Sequence, residues 1–96
     1  MERVKLTKAE IDERLSLLHG WTADGDVLKK RLEFGNFAES LAFVNKVCAI
    51  AEAADHHPDM TFGWGYVEIA FTTHDRGGIT DVDFALSEMI DKIERH

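Results

Sequence analysis

At 96 residues, 45% of them hydrophobic and 30% charged, with a single proline and no low-complexity segment, the chain (1–96) is expected to form one ordinary globular domain with a modest core. A net charge of -7 argues against a general affinity for nucleic acid or anionic membranes, both of which bind through clustered Lys and Arg. No window approaches the ~18 apolar residues of a membrane span, the amino terminus offers no apolar leader, and the lone Cys48 excludes an intrachain disulfide. The expected protein is cytoplasmic, and its ligand is a small molecule or another protein.

Thr7-Lys8-Ala9-Glu10 has the spacing of a capping box, with Leu6 and Ile11 at the positions of a hydrophobic staple, so a helix is expected to start at Thr7. Ile11, Leu15 and Leu18 mark its apolar face, and His19-Gly20 supplies a stop, with His19 as a cation at the helix end. Trp21 to Ala23 and Val27 to Phe34 flank Asp24-Gly25-Asp26, a strong hairpin signal. In the second arm Leu28, Lys30, Leu32 and Phe34 share one side, and Lys30 is expected to interrupt it at an exposed end.

Asn36, with Glu39 three residues on, caps a second helix whose apolar face is predicted to run through Phe37, Leu41, Val44, Cys48 and Ala51, with Cys48 in the core. Further apolar residues widen that face until few polar positions remain. Two readings follow, an oligomer or a central helix under a sheet. Pro58 keeps the helix from passing His57. A second hairpin pairs Met60–Trp64 with Tyr66–Thr73. Thr80-Asp81-Val82-Asp83 then caps a last helix with a stripe of Val82, Leu86, Met89, Ile90 and Ile93. The order α-β-β-α-β-β-α implies an α+β fold, a four-stranded antiparallel sheet with three helices on one face.

Chemistry concentrates around three histidines near turns. Imidazole is the side chain whose ordinary pKa, about 6.5, lets it give and take a proton near neutrality. His56-His57-Pro58 closes the second helix and His74 follows sixteen residues after Pro58, where a strand runs out. If the helix persists through His56, Glu52 shares its face and can hold its ring; Asp55 is the competing carboxylate. Taken alone, His-His-Pro reads as a surface turn and Asp83 as an N3 capping carboxylate, although such a carboxylate can also orient a histidine across a small cleft. Zinc is the rival use of these residues, but the spacings that place two ligands on one side of a strand or helix are absent. No nucleophile motif or phosphate loop is present.

In full register, Glu52-x-x-x-His56-His57-Pro58, five residues to Trp64, nine to His74 and eight to Asp83, the pattern resembles the signature of the pterin-4a-carbinolamine dehydratases. Gly20-Trp21 and the element order extend the resemblance over nearly the whole chain. It implies loss of water from a 4a-hydroxytetrahydropterin to give the quinonoid dihydropterin, within recycling of the pterin used by aromatic amino acid hydroxylases, without metal or cofactor. By position it implies His56, His57 and His74 as the catalytic set, with His56 and His74 as the acid-base pair. Pro58, Thr73, Asp75, Arg76, Trp21, Glu52 and Asp83 bind substrate or shape the pocket, with Trp21 as its wall. Val82 stands where the family often has an arginine. The resemblance also implies a homodimer or homotetramer. Two other functions are open, a dimerisation or coactivator-type binding module and a dehydratase of molybdopterin-related pterins.

Overall fold

Thr7 opens the first helix as its spacing predicts. In the computed structural model, which describes residues 3–93, the Thr7 hydroxyl accepts the Glu10 amide (3.2 Å) and the Glu10 carboxylate accepts the Thr7 amide (2.9 Å). Residues 1, 2 and 94–96 of the expected domain lie outside the described residues. Helix α1 (Lys8–Leu15) ends earlier than its apolar spacing suggests. The Ser16 hydroxyl donates to the Glu13 carbonyl (2.6 Å), a local bond that competes with helix continuation. Leu18 therefore packs on the core from a turn, and His19 stands beyond the helix instead of capping it.

Strands β1 (Thr22–Asp24) and β2 (Val27–Glu33) join through Gly25, whose φ of 60° is open to glycine at little steric cost. Helix α2 (Phe37–Ala54) starts where the Asn36 side chain accepts the Glu39 amide (2.9 Å). β3 (Asp59–Gly63) and β4 (Tyr66–Phe71) form the second hairpin, one 3-10 turn spans His74–Arg76, and α3 (Asp81–Asp91) follows. The four strands form one antiparallel sheet in the order β1-β2-β4-β3, with the three helices on one face.

Alternation decides which side of the sheet is dry. Leu28 and Leu32 of β2 lie opposite Phe71 and Val67 of β4, and all four are buried. Burying each such side chain is worth about 1.5–3 kcal/mol. The outer face carries Arg31, which donates to Glu68 (2.9 Å) and Glu33 (3.1 Å) and lies over the Tyr66 ring. Hydrogen bonds from Arg31 to those two carboxylates raise its pKa above the ordinary value.

Three expectations about the core need correction. The buried face of α2 is Ser40, Phe43, Val44, Val47 and Ala51. Cys48 is exposed, and Phe37 and Leu41 are largely so, because they sit roughly a quarter-turn round the helix from the line that meets the sheet. Met89 of α3 is likewise exposed, while Asp83 and Ser87 occupy the buried stripe.

Lys30, finally, is not at an exposed end. It points inward, and its ammonium meets Asp91 at 2.8 Å with both side chains only 13–14% exposed. The same Asp91 oxygen accepts the Trp21 indole N–H (2.9 Å). Replacing Asp91 with alanine strands a cation and an indole N–H together, so the chain should lose about 3 kcal/mol of stability in urea unfolding. Lys30→Met combined with Asp91→Leu should lose clearly less. A loss under about 1 kcal/mol in Asp91→Ala would show that water replaces the carboxylate freely.

Candidate active site

The site begins with the way α2 stops. Asp55 takes a left-handed conformation (φ 51°), which Asp tolerates better than most residues but which still carries backbone strain. That turn sends the Asp55 amide to the Glu52 carbonyl (3.2 Å) and the His56 amide to the Ala51 carbonyl (3.1 Å), closing the helix with a Schellman pair. The helix therefore ends at Ala54, before His56, and the expected Glu52–His56 pair does not form. Glu52 instead meets His57, Oε1 to Nε2 at 3.1 Å, with both groups exposed.

His56 turns inward. Its ring is buried, stacked nearly parallel on Phe71 (9°, centroids 6.0 Å apart), and its Nε2 lies 2.5 Å from Asp83 Oδ1. Asp83 is fully buried, and its second oxygen accepts the Thr80 amide (2.9 Å) and the Thr73 hydroxyl (2.9 Å). Because Thr73 spends its one hydroxyl proton there, Thr80 donates its own to Thr73 (2.8 Å). One Asp83 oxygen thus serves the start of α3 and the other meets His56.

A cavity of about 340 Å³ opens over this pair, lined by Arg3, Asp55, His56, His57, Thr72, Thr73, His74 and Asp75. The volume lies within the range of small-ligand pockets, roughly 300–1,000 Å³. His56 and His57 reach it from the end of α2; His74 and Asp75 reach it from the 3-10 turn, whose start lies three residues past β4. His57, His74 and Asp75 are exposed to solvent there.

The remaining expected residues sit around this cavity without lining it. Glu52 and Asp83 touch it through His57 and His56. Trp21 does not form its wall: the indole packs against Phe71 (6.2 Å), one ring removed from His56, and is tied to Asp91. Pro58 follows the two histidines, half-buried, and Arg76 donates to the Arg3 carbonyl (2.8 Å). Val82 is buried in the core and does not line the cavity. Trp64, part of the spacing pattern, is highly exposed at the β3–β4 turn. Arg3 and Thr72 line the cavity without having been expected from sequence, since an isolated arginine ahead of α1 and a threonine within a strand pattern carry no motif.

Known proteins show the same arrangement of elements. Residues 4–93 match the model of the family described as Pterin 4 alpha carbinolamine dehydratase. Over 89 residues the chain is 46% identical to a protein of Roseiflexus sp. (strain RS-1), covering 93% of this chain and 96% of that one. A protein of Sulfurisphaera tokodaii is 44% identical with the same coverage. Both bear the name pterin-4-alpha-carbinolamine dehydratase provisionally. Among solved structures, a transcriptional coactivator/pterin dehydratase from Brucella melitensis superposes with a TM-score of 0.86 at 26% identity, over 90% of this chain and 94% of that one. A pterin dehydratase-like protein described as a RuBisCO assembly factor in the alpha-carboxysome gives 0.64 at 30% identity, over 76% and 90%. With the family model spanning nearly every described residue and relatives this similar over nearly their full length, the chain belongs to the pterin 4 alpha carbinolamine dehydratase family.

Proposed function

We propose that this protein removes water from a 4a-hydroxytetrahydropterin by proton transfer through its histidines. The observation that carries the reading is their convergence on one cavity, with His56 backed by a buried carboxylate, in a chain of this family. In the reaction the bond from C4a to oxygen breaks as the departing hydroxyl takes a proton. The neighbouring ring nitrogen gives up its proton, and that electron pair forms the C=N bond of the quinonoid dihydropterin. One acid and one base complete the balance, each worth typically ~10²- to 10⁴-fold.

His56 and His74 are the acid-base pair in this proposal, and His57 binds near the hydroxyl, steadied by Glu52. Asp83 orients His56. Asp75 and the Thr73 backbone border the substrate, Pro58 stiffens the turn that carries the histidines, and Arg76 and Trp21 act at one remove through Arg3 and Phe71. The physiological role we assign is recycling of the pterin used by aromatic amino acid hydroxylases in the cytoplasm. The names of the two structural neighbours point to protein-binding roles in those proteins. Here the exposed apolar side of α2, with Phe37, Leu41 and Cys48, supports self-association as a dimer or tetramer.

Stopped-flow decay of 4a-hydroxytetrahydropterin should accelerate when the protein is added; decay at the buffer rate with folded protein would sink the dehydratase reading. His74→Ala should slow that decay by about 10²-fold while leaving thermal unfolding unchanged, because the side chain is exposed. Asp83→Asn should cost both rate and stability. An amide has one accepting end, whereas both Asp83 oxygens face donors, so one buried donor loses its partner at about 1–3 kcal/mol. Light scattering should give the mass of a dimer or tetramer, and Leu41→Glu should reduce it; a monomer at high protein concentration would remove self-association from the reading.

A further inference from the structure

Arg3 reaches the cavity from the segment ahead of α1, and backbone contacts hold that segment in place. Leu6 is buried, its amide donates to the Ile79 carbonyl (2.9 Å), and Lys5 bridges to Thr80. Arg76 fixes the Arg3 carbonyl. From there the guanidinium donates through Nη2 to the Asp55 carbonyl (3.2 Å), and Nη1 lies 3.5 Å from His56 Nδ1. His56 is thus gripped at both ring nitrogens, by Asp83 on Nε2 and Arg3 on Nδ1.

We propose that Arg3 is a positioning residue that holds His56 as the tautomer protonated on Nε2, with the Nδ1 lone pair directed at its guanidinium. A guanidinium has five N–H donors and no acceptor, so the atom it faces must offer a lone pair. A carboxylate only accepts, so the nitrogen facing Asp83 carries the proton. Both constraints select the same neutral ring. On the dehydratase reading, on which this part rests, the guanidinium keeps Nδ1 unprotonated until it swings aside for the substrate, and His56 is then the base that takes the proton from the pterin nitrogen at Nδ1. The exposed His74, which has no such cation opposite it among the described contacts, is left to protonate the hydroxyl.

The tautomer is readable without turnover. Long-range proton–nitrogen correlation spectra of the uniformly ¹⁵N-labelled full chain at neutral pH should show His56 with an unprotonated Nδ1 and a protonated Nε2. In Arg3→Ala the Nδ1 signal should move toward the protonated position, and Arg3→Lys, which keeps a donor-only cation, should hold the parent pattern. In the dehydration assay kcat of Arg3→Ala should fall about tenfold with KM within about twofold. A parent spectrum with Nδ1 protonated, or an unchanged spectrum in Arg3→Ala, overturns the assignment. So does a raised KM at unchanged kcat, which would make Arg3 a substrate-binding group. The expected spectra in a protein that fails to speed dehydration would support Arg3 and sink the dehydratase reading instead.

Discussion

The buried carboxylate of Asp83 is the constraint around which the rest is arranged. An ion taken fully out of water is tolerated only if its lone pairs are met, and here each neighbouring element supplies a donor. The end of α2 contributes His56, the end of β4 contributes Thr73, and the start of α3 contributes the Thr80 amide. Three chain segments are thereby held in one geometry by a single group. Helix capping and the contact to the histidine fall to the two oxygens of one carboxylate, so the fold cannot lose that group without disturbing both.

Around this group the packing forms a second layer. The His56 ring rests on Phe71, Phe71 contacts Trp21, and the Trp21 indole ends on Asp91, which also holds Lys30. Asp83 and Asp91 lie about two turns apart on α3, so a stack of rings connects two polar clusters borne by one helix. The aromatic residue expected to wall the pocket instead supports the ring beneath the histidine.

Local chemistry made the element starts readable from sequence. Thr7, Asn36 and Thr80 each cap a helix at the predicted residue, and Gly25 marks its hairpin, because these signals operate within four residues. Helix ends and buried faces were less legible. The competing Ser16 hydroxyl ended α1 before its apolar periodicity ran out, and the left-handed turn at Asp55 ended α2 two residues short of His56. On α2 thirteen of eighteen positions are apolar, so spacing could not say which arc meets the sheet, and Cys48 was placed on the wrong side. The histidines were singled out through their register with Glu52, Trp64 and Asp83, not through any one of them. Glu52 was paired with the wrong ring, and Arg3 left no trace, since contacts between distant segments have no local signature.

Sequence distance matters less to such a site than it first suggests. The Arg3–His56 contact closes a span of 53 residues and the His56–Asp83 contact one of 27, close to a doubling. Loop-closure entropy grows only logarithmically, so the longer span costs only about 0.6 kcal/mol more. What sets the difficulty is kinetic: the contacts that bring Arg3, His56 and Asp83 together are long-range, and long-range contacts form after local helices and hairpins. The cavity should therefore be among the last parts of the chain to take shape, which makes its appearance a sensitive report that the amino-terminal strap, α2 and α3 have all docked.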